Sequence, residues 1–422
     1  LYEQIIGNGA ALVVRPMGGA KQWQVRLDRS AIKRVGYSRD EALFPWGRRS
    51  FDGYRLLREY FAFPERFMFV EFGDLANAIK RCGGTELEIV VLLNRADSQL
   101  ENSISVKNFA LNCTPAINLF PRRADRIHLN EKSFEYHVVP DRTRPQDFEV
   151  YSVTGVQGFG SSVDPEQEFL PFYSTNDRTR LDTELAYFTT YREPRLLSGK
   201  QKRKGSRTSY VGSEVFVGIV DGKEAPYRSD LRQLGVETLC TNRDLPLQMA
   251  LGSGNSDFTL ESGAPVLAAR CIAGPTRPRP AFAYGDVAWR LISHLSLNYL
   301  SLTDTDEQRG SAALRELLSL YADSNDAASA KQIEGIKSIS TKSAHGRIPS
   351  GGPITYGRGI EITVTCDEQA FEGTGIFLLG SVLDVFFSKY VSINSFTRTI
   401  IRSSERGEIM RWPARLGIRS TL

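Results

Sequence analysis

Histidine and methionine are scarce in this 422-residue chain, with four of each. His128, His137, His294 and His345 are spread so widely that no two share a helical turn, which excludes an HExxH metal site. His128 and Glu131 form one lone HxxE with no second pair to complete a ligand set, and His137 and His294 are read as core histidines. The five cysteines, Cys82, Cys113, Cys240, Cys271 and Cys366, are odd in number and contain no CxxC, so neither a zinc site nor a disulfide framework is indicated. Isolated thiols in apolar company fit the core of a protein from a reducing compartment. An excess of either charge is also missing: 53 basic against 49 acidic residues leave a net charge of +4, without the basic stripe of a nucleic-acid binder. The one basic cluster, Lys202-Arg203-Lys204 with Arg207, sits among Gly and Ser and reads as a solvated loop tip. No apolar run reaches the roughly 20 residues of a membrane span. The longest, 376–387, is broken by Gly380, Ser381 and Asp384 and is expected to be a buried helix. No signal peptide is visible, and Leu1 stands where an initiator Met would, so a further N-terminal part is expected.

Catalytic constellations are missing too. Gly252-Ser253-Gly254-Asn255-Ser256 lacks the order of a nucleophile elbow. Gly351-Gly352-Pro353 is loop punctuation, and Gly373-Thr374-Gly375 opens a helix without the Lys-Ser/Thr of a phosphate loop. Asp304-Thr305-Asp306-Glu307 runs into Gln308 and Arg309 where a calcium loop needs further oxygen ligands. The chain is therefore expected to use no cofactor and no metal, and to be no enzyme.

What is present is an ordinary globular composition, 41% hydrophobic and 24% charged, rich in Phe (23) and Tyr (16). Short strand-like pieces fill residues 1–45. In 51–64, Tyr54, Leu57 and Phe61 fall at helical spacing with Leu56 and Tyr60 beside them, and Pro64 ends the helix by removing an N–H and pushing Phe63 out of helical geometry. Residues 67–72 are strand-like, and 86–93 end in a fully apolar stretch that reads as the middle of a sheet. A short helix ending at Pro115 and strands at 135–139 and 148–153 follow. Strand-like runs at 184–190, 210–220 and 236–241, parted by Gly, Pro, Ser and Asp, suggest a sandwich or barrel. After the stiff linker Pro275-Thr276-Arg277-Pro278-Arg279-Pro280 come helical patterns at 289–302 and 312–321. A strand at 359–366, a helix at 374–390 and strands at 391–401 and 408–412 close the chain. The expected class is α+β and multi-domain. Residues 1–45 end an N-terminal domain, 46–155 form an α+β domain with the aromatic motif, and 156–275 a β-rich module. A helical segment covers 281–330 and a C-terminal α+β module 331–422.

The literal sequence says more. The run from Phe51 through Tyr54, Leu57, Tyr60, Phe61, Phe63 and Pro64 to Phe67 resembles the signature of the TssF family of type VI secretion baseplate proteins. Asn112-Cys113-Thr114-Pro115-Ala116-Ile117-Asn118-Leu119-Phe120 is similar to a second family motif. Residues 136–141, 149–153, 240–246 and 357–412 look like its continuation, so the resemblance covers most of the chain. It implies a non-enzymatic wedge protein, cytoplasmic and docked at the inner-membrane complex. Two copies would join one TssG, with TssK and TssE attached, around a VgrG spike hub, and the assembly would start sheath polymerisation. Tyr54, Leu57, Tyr60, Phe61, Phe63, Pro64, Phe67, Asn112, Pro115, Asn118 and Phe120 are the candidate structural or interface residues. Two other readings stand beside it: a hydrolase with an unrecognised carboxylate site, and a glycan- or surface-binding module centred on 156–275.

Overall fold

The computed structural model describes residues 1–17, 23–47, 51–130, 132–162, 165–172, 186–196, 207–221, 227, 229–279, 307–322, 326–349 and 355–418. The helix expected at 289–302 with His294, the cluster Lys202-Arg203-Lys204, Glu131 and the turn at 351–353 lie outside them. The fold is α+β. Contacts divide the chain into two units, Leu1–Ala116 with Tyr284–Leu422, and Ile117–Ala283.

The first unit begins with α1 (Tyr2–Asn8), β1 (Gly9–Pro16), β2 (Val25–Asp28) and β3 (Ile32–Arg34). Next come α2 (Asp52–Ala62), β4 (Val70–Phe72), α3 (Ala76–Arg81), β5 (Leu87–Leu93) and α4 (Ser98–Ser103). Strand β1 is the centre of an antiparallel sheet ordered β2-β1-β5, and its Leu12 and Val14 are fully buried. This corrects the reading of 86–93 as mid-sheet: β5 is an edge strand, and its Ile89, Leu92 and Leu93 are exposed. An unbroken apolar run reports β preference but not how many neighbours a strand finds. The short helix expected after residue 105 and ending at Pro115 is not formed, and that stretch holds a single 3-10 turn. Helix α4 stops at Ser103, a capping box at Ser105 opens one 3-10 turn (Val106–Asn108), and Asn112 takes a left-handed φ of 56° that breaks any continuation.

The second unit is one curled eight-stranded sheet. Its strands are β6 (Phe120–Arg123), β7 (Ile127–His128), β8 (Glu135–Val138), β9 (Glu149–Phe159), β10 (Gln167–Pro171), β11 (Ala186–Pro194), β12 (Ser213–Asp221) and β13 (Gln233–Thr241). They are ordered β6-β13-β9-β10-β11-β12-β8, with β7 also on β13 and only β10–β11 parallel. The expected boundary at 155/156 falls inside β9, so the strands read at 135–139 and 148–153 belong to the β module. One face carries the core: Val215, Val217 and Ile219 alternate inward on β12 and meet Val156, Phe169, Leu234 and Val236. Register breaks between β9 and β13 add local bend and twist.

The first unit then resumes with α5 (Glu307–Ser319), α6 (Ala327–Glu334), β14 (Ile336–Arg347), β15 (Tyr356–Cys366), α7 (Ile376–Ser388), β16 (Phe396–Ser403), β17 (Gly407–Arg411) and β18 (Arg415–Leu416). The sheet runs β14-β15-β16-β17, and α7 is the crossover joining the parallel pair β15 and β16. Every residue of α7 is buried. A helix apolar on all sides needs cover all round. Sheet residues Ile362, Val364 and Ile401 belong to the core around it, and α2 packs against it with Leu56, Leu57, Tyr60 and Phe61 in the same core. Closeness is set by Gly380, where an added Cβ would stand 2.6 Å from the Trp412 ring and 3.2 Å from Ile401.

Candidate functional site: the aromatic motif and its buried charges

The signature segment builds a core. Leu57 and Phe67 are fully buried, Tyr60 and Phe61 nearly so, and Tyr54, Phe63 and Pro64 are half-buried. Helix α2 ends where Phe63 leaves helical geometry (φ −158°), and Pro64 starts a 3-10 turn that inserts Phe67 beside Tyr37, with ring centroids 5.0 Å apart. Tyr54 meets Phe51 edge-on at 4.8 Å and stacks on Tyr321 at 6.1 Å. Tyr60 donates from its hydroxyl to Gln332 Oε1 (3.1 Å), and Gln332 Nε2 donates to Thr374 Oγ1 (3.0 Å). Burial pushes the Tyr60 phenol well above its ordinary value, so it stays a neutral donor.

Beside these rings lies a charged cluster that apolar spacing did not reveal. Asp52, Arg55 and Glu59 sit at i, i+3 and i+7 of α2, all buried. Arg55 donates from Nε to Asp52 Oδ1 (2.8 Å) and from Nη1 to Glu59 Oε2 (2.9 Å). Lys389 Nζ, just past α7, donates to Asp52 Oδ2 at 2.5 Å. The fully buried Arg66 pairs with Glu59 and donates from Nη2 to the carbonyls of Gly36 (3.0 Å) and Glu41 (2.6 Å). Glu59 Oε1 takes the backbone N–H groups of Leu43 (2.9 Å) and Phe44 (3.0 Å). Five charged side chains thus fasten the irregular segment 36–44 to α2 and α2 to the end of α7.

Burial opposes ionisation of Asp52, but the bonds from Arg55 and Lys389 together outweigh it and hold the carboxyl below its usual value. Desolvation, then the nearby Arg55 charge, lowers the Arg66 guanidinium to about 10, still charged at neutral pH. A second tie is Asp384 on α7, which accepts from Arg34 of β3 (2.6 Å) and Arg415 of β18 (3.0 Å). Such pairs add little net stability over apolar packing but strongly penalise loss of one partner. The sequence signal was the Asp-x-x-Arg-x-x-x-Glu spacing inside the motif.

The remaining candidates do not join this cluster. Asn112 is exposed and Pro115 half-buried in the first unit. In the second unit, exposed Asn118 accepts the Asn242 N–H at 3.3 Å, and half-buried Phe120 meets Phe148 edge-on at 6.2 Å. Just before Asn112, Val106 and Leu111 are each 88% exposed, with Phe109 half-open between them. Among the described residues no group of three His, Cys, Asp or Glu side chains is placed to hold a metal ion, and no helix is long and apolar enough to cross a membrane.

The family model described as "Type VI secretion system, TssF" matches residues 1–419. The chain belongs to the TssF family. It is 56% identical over 422 residues to the type VI secretion system component TssF1 of Pseudomonas aeruginosa, covering all of this chain and 67% of that protein. Two solved structures share the fold. One is a chain of a TssK-TssF-TssG baseplate subcomplex, with a TM-score of 0.73, 24% identity, and coverage of 100% of this chain and 73% of that one. The other is a chain of a type VI baseplate complex, with a TM-score of 0.50, 21% identity, and coverage of 88% and 60%. Within this TssF-family chain, the motif that signals the family is mostly interior.

Proposed function

We propose that this chain is a structural wedge subunit of the type VI secretion baseplate, acting through protein contacts and catalysing nothing. It assembles with TssG and TssK, with TssE and a second copy of itself, around a VgrG spike hub, in the cytoplasm at the inner-membrane complex, and so helps start sheath and tube growth. Family membership supports the reading, as does the shared fold with chains of baseplate complexes. The observation that carries it is the exposed apolar run Ile104, Val106, Phe109 and Leu111, on the irregular segment around the Ser105 capping box. Large side chains left open in such a row mark surface that a partner covers. The displaced carboxyls Glu41, Asp52 and Asp244 are held by backbone N–H groups, hydroxyls, arginines or lysine within the fold, as structural charges are.

Co-expression with TssG and TssK, followed by size-exclusion chromatography with mass measurement, tests the proposal. A complex with two copies per TssG is expected, and Val106→Asp with Leu111→Asp should abolish it while far-UV circular dichroism stays unchanged. A full-length protein that stays alone beside both partners would overturn the proposal. A complex indifferent to the double substitution would remove the exposed run from it.

A further inference from the structure

The hairpin of β14 and β15 outruns its own core. At its base Ile339 and Val364 pair across the strands and are buried. On the same face, six and eight residues further along β14, the pairs are His345 with Arg358 and Arg347 with Tyr356, and all four side chains are exposed, Tyr356 by 78%. His345, Tyr356 and Arg358, with Gly346 and Gly357, line a shallow concavity of about 350 Å³.

Charge in this arm is one-sided. From Gly335 to Ile360 the sequence has no Asp or Glu, but it has Lys337, Lys342, His345, Arg347 and Arg358. Lys337 is paired with Asp367 at the base (3.2 Å). The nearest acid along β15, Glu361 opposite Lys342, is already held by Arg411 (2.9 Å) and Arg398 (3.6 Å). Arg347 and Arg358 have no acidic partner among the described residues.

The backbone is open as well. Strand β14 is the edge of its sheet. The Ile348 N–H donates to the Thr355 carbonyl (2.8 Å), so even-numbered residues of the arm bond to β15. The N–H and C=O groups of Ser343, His345 and Arg347 therefore point outward, with no strand beyond them among the described residues. A free edge is a template for an added strand, and cations along it repel a second copy of the same arm.

We propose that the edge of β14 from Lys342 to Arg347 receives an extended, carboxylate-bearing segment of a protein partner as an additional strand. Acidic side chains of that segment pair with Arg347 and Arg358, and Tyr356 covers the apolar side chains between them. Main-chain bonds give affinity, and the charge gives selection against the arm's own copy. The inference stands apart from the baseplate reading and does not need it.

The test uses the purified protein and a fluorescein-labelled peptide of alternating Val and Glu, followed by anisotropy at low salt. Binding is expected, weakened at least tenfold by the exposed pair Arg347→Glu and Arg358→Glu. A similar loss is expected from Ser343→Pro, which removes an outward N–H while leaving the ladder to β15 intact. Hydrogen exchange in the complex should slow at Ser343, His345 and Arg347 but not at Ala344 and Gly346. Failure of the peptide to bind would overturn the proposal. So would equal binding of polyglutamate, single-stranded DNA or phosphatidylglycerol vesicles that Ser343→Pro leaves unchanged, since the arm would then attract anions without accepting a strand. If Ser343→Pro disturbs the fold, the charge-reversed pair and the exchange pattern still decide.

Discussion

Glu59 is the side chain whose removal should cost the first unit most for its size. It faces Arg55 and Arg66, whose side chains are 4% and 1% exposed, and accepts the backbone N–H groups of Leu43 and Phe44. Glu59→Ala leaves the buried Arg66 without its carboxylate, leaves Arg55 with Asp52 alone, and orphans two amides. Breaking a buried pair by deleting one partner costs about 3–5 kcal/mol. Each orphaned amide adds about 1 kcal/mol or more, partly offset as water enters, so about 4 kcal/mol is a working figure. Glu59→Gln keeps the volume and one acceptor and should lose about half as much. Because the chain has two units, one global unfolding curve would mix them. Native-state hydrogen exchange at the α2 amides from Tyr54 to Phe61 isolates the relevant one. About 4 kcal/mol corresponds to roughly a thousandfold rise in the opening constant there. The alternative is that Glu59 merely fills space, and it makes a different prediction: Glu59→Gln would be neutral and Glu59→Ala would cost only a small cavity. Exchange within tenfold of the native protein in both variants would refute the electrostatic account.

Asp244 gives a pH-dependent counterpart in the second unit. Burial opposes its ionisation, but bonds from Arg207 and Thr208 pull its pKa from 3.8 down to about 2. A carboxyl lowered in the folded state stabilises above its unfolded value and loses that contribution as pH falls through its folded one. The melting temperature of this unit should fall between pH 4 and pH 2, and Asp244→Asn should flatten that stretch; an unchanged slope would contradict it. Gly380→Ala should destabilise the first unit by about 1–3 kcal/mol despite a helix-propensity gain of about 1 kcal/mol, because its methyl meets Trp412 and Ile401. Trp412 fluorescence during urea titration reads this, and a stabilised variant would mean the ring yields freely. Burial raises the Cys366 thiol to about 12, so native protein at pH 8 should take iodoacetamide at half-exposed Cys82 and not at Cys366, as peptide mapping would show.

Much of this molecule was legible locally. Pro64 stops α2 because a pyrrolidine ring cannot continue a helix, whatever lies around it. The stripe Leu314, Leu317, Leu318 predicts a helical face, and all three are buried in α5. Alternation through Ile360, Ile362 and Val364 predicts β15, and the apolar run at 376–387 predicts a buried helix, found as α7. The literal motif also identified the family. These are properties of neighbouring residues, fixed by backbone sterics and by the 3.6- and 2-residue periods.

What touches what came only from the tertiary structure. An apolar run looks alike at the centre and the edge of a sheet, and only the pairing with β1, its one neighbour among the described residues, makes β5 an edge strand. Residues 51–67 and 376–389 are separated by some three hundred positions, yet Phe51 meets Phe386 and Asp52 meets Lys389. No local period encodes that pairing, because it arises when α7, mostly apolar and buried all round, needs a second surface to cover it. The buried charges follow from the same cause. Nothing in the local period marks Asp52, Arg55 and Glu59 for burial; the closure of the segment 36–44 over them, with Lys389 against Asp52, takes away their water and makes each depend on the others.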